Sequence, residues 1–550
     1  MTCGFRLDLF AKRRHGDPSP GLTLGQTAGV GAPTTFTHSI SDIETTGAER
    51  TPWIAGREPW LIQGGMGVGV SHWPLARAVA SAGALGVVSG TGIDALFARR
   101  LQDRGIDDEL QAVLDRFPSQ DVVDRAVSKF AARRRGAHAQ YRGVPMPTHR
   151  NVPSAQEMCV LAAYAEVALA KVGHDGVVGI NLLTKIQIPT VPTLFGAMLA
   201  GVDYVLMGAG IPVEIPGVLD RLARLEPVET ALLVNGAAAG ARVPRLHFDP
   251  GRLGVHGALR RPRFLAIVSS HVLAKTLARR STGMVDGFVV ERHVAGGHNA
   301  PPRGPLTFDD RGEPRYGDRD RVDFQAIQDL GAPFWIGGGI TSPAAVKEAF
   351  ELGAAGVQVG TLFECCRESG LEQSLKDQLI AGARAGALRV ATSVRVSSTG
   401  YPFKVACVNG TLSDEGVYAR RPRVCDMGYL REAFLKADGT VGHRCAGEPV
   451  DAYLAKGGLR EDADDRVCLC NALMSAAGFG QVRGGTFHEP PIVTSGDRVN
   501  DIARLVGDDG GYCAADVIAY LGTAAGTVPD ATSAPALRWA ARDVLPPETA

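Results

Sequence analysis

The stretch Phe334-Trp335-Ile336-Gly337-Gly338-Gly339-Ile340, and after a helix-like segment Gly356-Val357-Gln358-Val359-Gly360-Thr361, repeats one pattern: a short apolar run that ends in glycine. Working outward, the same pattern recurs at Leu61-Ile62-Gln63-Gly64-Gly65-Met66-Gly67, Gly86 to Gly90, Gly176 to Asn181, Val202 to Gly208, Phe264 to Ser269 and Gly287 to Glu291. Runs that are apolar throughout belong to strands buried on both faces, and strand–helix alternation implies a parallel sheet. Spacing does not by itself separate a closed barrel from an open doubly wound sheet. Eight such units between about 60 and 363 favour an α/β fold of the (β/α)8 TIM barrel kind.

Two insertions interrupt the series. Residues 93–150 carry charged helical segments (95–117 and 122–135) and then a Pro-rich link. Residues 235–262 are rich in Gly, Arg and Pro and follow Ala231-Leu232-Leu233-Val234, a candidate extra strand. Insertions of this size serve as lids, subunit contacts or substrate-defining loops. The expected organisation is an N-terminal extension over 1–56, the barrel over 57–390, a Cys/Gly/Pro-rich C-terminal subdomain over 391–525 and a tail with one short helix over 526–550.

The 550 residues hold 58 Lys+Arg and 58 Asp+Glu, so the formal charge is zero. That balance lacks the electrostatic footprint of a nucleic-acid or anionic-membrane binder. Gly accounts for 68 residues, about 12% against the usual ~7%. No collagen period explains the excess, which leaves tight turns or repeated close approach of backbone to a ligand. The N-terminus shows no apolar signal region and no uncharged apolar stretch reaches eighteen residues, so a soluble cytoplasmic protein is expected. Ten scattered cysteines fit a reducing compartment.

In such a barrel, chemistry belongs at the C-terminal ends of the strands. Two Gly-rich turns after consecutive late strands, at 337–339 and 360–361, fit a phosphate site built from backbone N–H groups. Ordinary turn glycines are the plainer reading of either one alone. His298, on the Gly-rich turn after the sixth strand, is of a type that titrates in a useful range and can shuttle protons. Cys425, Cys445, Cys468 and Cys470 could bind zinc or an iron–sulfur cluster, but the spacing is wide and the close pair is Cys-x-Cys. Buried, reduced thiols are favoured there and no metal is expected. Cys365-Cys366 reads as core packing.

Ile62-Gln63-Gly64-Gly65-Met66, Gly208-Ala209-Gly210-Ile211-Pro212, Ala295-Gly296-Gly297-His298, Ile336 to Ile340 and Val357 to Thr361 together resemble the nitronate monooxygenase (2-nitropropane dioxygenase) family, whose members are FMN-binding barrels and include FMN-dependent enoyl-ACP reductases. Ser398 to Lys404 and Gly410 to Ser413 extend the likeness to a long subgroup that includes the trans-acting enoyl reductases of polyketide and polyunsaturated fatty acid synthesis. The resemblance implies that Gly64, Gly65 and Met66 lie against the flavin, with Asn181 and Lys185 near its ring or ribityl chain. It implies that Gly338, Gly339, Gly360 and Thr361 hold the phosphate with Gln358 beneath them. Gly296 and Gly297 would line the cofactor, and His298 would be the catalytic histidine. The sequence departs from the family just before the Gly-Gly-His, where Glu291-Arg292-His293-Val294 stands. That puts the substrate pocket in question and offers His293 as a second imidazole.

The implied activity is oxidation of alkyl nitronates with O2, without a need for NAD(P)H. The alternative is NAD(P)H-dependent reduction of an enoyl thioester carried by an acyl carrier protein. A non-catalytic FMN-binding scaffold is the third reading, against which His298 on the rim speaks. A homodimer is an expectation from the barrel class alone.

Overall fold

The computed structural model describes residues 58–523 apart from 133 and 239. The expected N-terminal extension and C-terminal tail lie outside the described residues. Eight strands form one sheet, numbered here in chain order: β1 (Leu61–Gln63), β2 (Gly86–Ser89), β3 (Val178–Leu183), β4 (Tyr204–Gly208), β5 (Arg263–Val268), β6 (Gly287–Glu291), β7 (Phe334–Gly337) and β8 (Gly356–Val359). Every neighbouring pair is parallel, and β8 returns to β1 with Leu61 opposite Val357 and Gln63 opposite Val359. A parallel bridge between Ile62 and Leu85 joins β1 to the approach of β2. There Leu85 N–H donates to Leu61 O and Gln63 N–H donates to Leu85 O, both at 2.9 Å. The ring is closed, and the (β/α)8 TIM barrel expected from the repeat is the fold.

The interior is filled rather than hollow. Ile62, Val87, Tyr204, Leu206, Leu265, Val289 and Trp335 form one inner cluster. Trp335 is fully buried and donates from its indole Nε1 to Pro59 O at 2.6 Å, which satisfies the one polar atom a core Trp carries. Outside the strands a second, larger core lies between sheet and helices.

The first insertion is three helices, Ile93–Arg104, Asp108–Leu114 and Gln120–Phe130. The helical stretch expected over 95–117 therefore breaks at Gly105, whose φ of +69° ends the first helix cheaply. Pro153–Ala170 then forms an 18-residue helix that packs on Thr190–Leu199. The run Ala231 to Val234 adds nothing to the barrel. Val228–Ala231 pairs antiparallel with Arg245–Phe248, while Val234–Asn235 pairs with Glu432–Leu435.

Residues after the barrel pack with it as one compact unit. The hairpin Val390–Ser393 with Phe403–Ala406, and the helix Leu469–Ala476, enclose a small core of Val396, Phe403, Val405, Leu412, Val467, Leu469, Ala472 and Ile492. No described helix is long and apolar enough to cross a membrane.

Candidate active site

The C-terminal ends of the strands open onto a cavity of about 230 Å3. Gly64, Gly65 and Met66 after β1, Asn181 on β3, Gly296, Gly297 and His298 after β6, Gly338 and Gly339 after β7, and Gln358, Gly360 and Thr361 at β8 all line it. The motifs singled out in the sequence thus meet in one place although almost 300 residues of chain separate them.

The glycines have local reasons. A Cβ on Gly65 would collide with the Asn181 amide, which sits against it and donates from Nδ2 to Gly65 O at 2.9 Å. Gly338 and Gly339 hold φ of +87° and +77°, which a side chain disfavours, and a Cβ on Gly338 would lie 2.9 Å from Arg292 O. Among the described residues, the N–H groups of Gly338, Gly339, Gly360 and Thr361 donate no backbone hydrogen bond outside regular helix and strand pairing. Convergent, unengaged N–H groups are what an anion seat requires. Asn181 Oδ1 is buried and without a partner, an unpaired acceptor in the wall that a donor on a bound group would satisfy. Gly338, Gly339, Gly360 and Thr361 could hold a phosphate, and Gly64 to Met66 with Asn181 could hold the rest of a cofactor that carries one.

A loop that the sequence reading passed over completes the site. Thr494, Ser495, Gly496 and Arg498 line the same cavity from the C-terminal segment. Gly297 N–H donates to Thr494 Oγ1 at 2.8 Å, and Gly496 N–H donates to Thr361 Oγ1 at 3.2 Å. Lys404, 4% exposed, holds Asp497 at 2.6 Å. Arg498 is the one Lys or Arg among the residues lining the cavity; its side chain is largely exposed and pairs with Asp501 at 2.9 Å. No spacing in the sequence marks this loop; the notable signal is Lys404 itself, a cation inside an otherwise apolar strand.

His298 is fixed from the same side. Its flanking backbone pairs with the hairpin strand, Lys404 N–H donating to Gly297 O at 3.0 Å and Asn299 N–H to Pro402 O at 2.9 Å. The ring meets Ser397 Oγ through Nε2 at 2.7 Å and abuts Phe403 edge-on. Burial, with the charge of Lys185 behind it, lowers the imidazole to about 3. The expectation that His298 titrates in the neutral range is therefore not met; it stands as a neutral ring.

A second chamber of about 710 Å3 adjoins the first. The two share Ala209, Ile267, Glu291, Val294 and His298 as walls. Lys185 lies here and not in the first cavity, its Nζ 3.5 Å above the Tyr401 ring, and burial lowers its pKa to about 7. His293 also lines this chamber and stacks on Tyr316 at 4.1 Å. Arg292 turns outward to Glu348.

Three of the four flagged cysteines are in contact: Cys468 shares side-chain hydrogen bonds with Cys425 and Cys470, and Cys445 lies close enough to feel their charge. Among the described residues no three His, Cys, Asp or Glu side chains are arranged to hold a metal ion. Cys470 also lines the first cavity. Cys365 and Cys366 are buried in the main core.

The fold and this rim define a closed parallel barrel with a glycine-lined cavity roofed by its own C-terminal segment. No protein-family model matches the chain, and no curated protein does. Among solved structures it is similar to FabK from Thermotoga maritima at 15% identity, covering 86% of this chain and 95% of that one, with a TM-score of 0.41. A nitroalkane oxidase from Streptomyces ansochromogenes is 14% identical over 85% of this chain and 97% of that one, with a TM-score of 0.42. The enoyl reductase domain of MlnA from the macrolactin biosynthesis cluster of Bacillus amyloliquefaciens is 12% identical over 86% and 95%, also at 0.42. At these values they add nothing to the topology read from the strand register.

Proposed function

We propose that the chain is an FMN-dependent oxidoreductase that oxidises alkyl nitronates with O2. The observation that carries this reading is the single cavity joining the unengaged N–H groups at 338–339 and 360–361 to Gly64–Met66, Asn181 and His298. When bound, FMN supplies the two-electron acceptor that O2 afterwards regenerates. The chain's own residues do the rest. Gly65 makes room for the Asn181 amide that lines the seat, while the late glycine turns, with Arg498 beside Asp501 at the wall, would hold the anion. The neutral His298, anchored on Ser397, offers a hydrogen bond to a substrate in the shared wall. Leu469, Cys470 and Leu473 give the cavity an apolar wall from the C-terminal segment.

One observation favours a second reading. The adjoining chamber, at about 710 Å3, has more room than a small nitronate needs. An acyl chain delivered as an enoyl thioester on an acyl carrier protein would use it, with NAD(P)H as electron donor. Anaerobic mixing of the FMN-loaded protein with propionate 3-nitronate and, separately, with NADH and NADPH separates the two. Fast bleaching by the nitronate alone supports the first reading. Fast bleaching by a reduced nicotinamide, with reoxidation by an enoyl thioester, replaces it with the second.

A further inference from the structure

We propose that Glu291 is the acid–base residue of this site, so that it deprotonates neutral carbon acids such as nitroalkanes and not only accepts preformed nitronates. The inference rests on the reading of the cavity as a flavin oxidoreductase site. Glu291 ends β6, opposite Gly337 of β7, and it and His298 are the two polar side chains that face both chambers. A carbon held between them lies beside this carboxyl.

The carboxyl is also uncommitted. Among the described residues it has no ion pair and no hydrogen bond. The cations that could neutralise it are engaged elsewhere: Arg292 on Glu348, Lys404 on Asp497 and Lys185 over the Tyr401 ring. A carboxylate half-buried against apolar neighbours, with no cation beside it, is a stronger base than one in water. Burial raises Glu291 to about 7. His298 is unsuited to the task because its Nε2 is held by Ser397 and its protonated form is strongly disfavoured. The other titratable or charged groups facing the two chambers are Lys185, Arg292, His293, Arg303, Tyr316, Asp318, Asp320, Arg321 and Tyr401 in the second, and Glu364, Tyr429, Cys470 and Arg498 in the first. None is in ion-pair contact with Glu291.

The step balances without a further reactant. The α-C–H bond of the nitro compound breaks, an O–H bond forms on Glu291, and the electron pair stays on the substrate as the nitronate. Protonation of the α-carbon in a reductase would be the same transfer in reverse.

The test compares nitroethane with ethyl nitronate on the FMN-loaded enzyme. Glu291→Gln is expected to lower kcat/KM on nitroethane by about 100-fold or more while changing the nitronate by no more than about three-fold, because a nitronate needs no base. Glu291→Asp should recover part of the loss. In the wild type the nitroethane rate should rise with pH along a group titrating near 7, and His298→Asn should keep that limb at a lower plateau. Equal losses on both substrates, or a limb lost in His298→Asn and kept in Glu291→Gln, would overturn the proposal. If the wild type oxidises neither compound, the nitronate reading falls. Infrared titration of the unloaded protein then decides the proposal separately. A protonated carboxyl band that disappears near pH 7 and is missing in Glu291→Gln upholds it; a Glu291 carboxylate already ionised at about pH 5 overturns it.

Discussion

Gly65 and Asn181 show how closely residue identity is tied to the cavity. The amide that braces the Gly65 carbonyl occupies the space a side chain would need. Gly65→Ala is expected to displace Asn181 and weaken FMN binding by ten-fold or more, about 1.4 kcal/mol, with the far-ultraviolet circular dichroism unchanged. Fluorescence titration of the apoprotein with FMN measures it. Lys185 makes a prediction with a sign. Its folded pKa of about 7 lies below the ordinary 10.5, so between those values the unfolded chain binds the proton and the folded one does not. Stability contributed by this group is therefore lost as pH falls from about 10.5 to 7 and stays low below that. Lys185→Met should raise stability at neutral pH by a few kcal/mol, and the gain should shrink as pH approaches 10.5, read from urea unfolding at several pH values. The glycines after β1, β7 and β8 were visible in the sequence because each stands at the end of an apolar run, and His298 because it closes a Gly-rich turn. Glu291 was visible only as a departure from the family pattern, and its environment depends on where Arg292, Lys404 and Lys185 turn, which sequence spacing does not carry.

Among elements, the hairpin Val390–Ser393 with Phe403–Ala406 does most to set the site, because it clamps the His298 turn and fixes the 494–498 loop through Lys404. Lys404→Met keeps the apolar stem but leaves Asp497 without its partner. It is expected to speed FMN release several-fold and cost about 1 kcal/mol of stability, since Asp497 is partly solvated. Stopped-flow dilution into apoflavodoxin or another flavin trap follows the release. All eight barrel strands were legible, since strands buried on both faces leave continuous apolar runs bounded by glycine. The helix Pro153–Ala170 was not singled out, because it is buried around most of its circumference and has no polar face to mark a helical period. Its buried charge, Glu166, pairs with the buried Arg100. The strands Val228–Ala231 and Arg245–Phe248 gave no usable signal either. The ribbon is short, and only Val228 and Phe248 of its residues enter the main core.

At the largest scale, the barrel and the described segment after it form one compact unit. Trp335 packs inside the ring of strands, and Phe403, Leu469, Cys470, Leu473 and the 494–498 loop wall the cavity at the C-terminal ends of the strands. Trp335→Ala should cost about 3–5 kcal/mol and lower the midpoint of a single unfolding transition, because the cavity it leaves lies inside the ring of strands. Two separate transitions would show that the C-terminal segment folds on its own. A boundary at 390 was drawn from composition, which changes there because packing changes from long helices to short turns; the contacts continue across it.

The central claim is that the glycine-lined cavity is a flavin mononucleotide site. The most direct measurement is the visible spectrum of the purified full-length protein, followed by chromatography of whatever denaturation releases and by titration of the apoprotein with FMN. The account predicts flavin absorbance, release of FMN near one equivalent per chain, and loss of that binding in Gly65→Ala and in Gly338→Val. A colourless protein that binds no added FMN, or one whose flavin binding survives both substitutions unchanged, would contradict it.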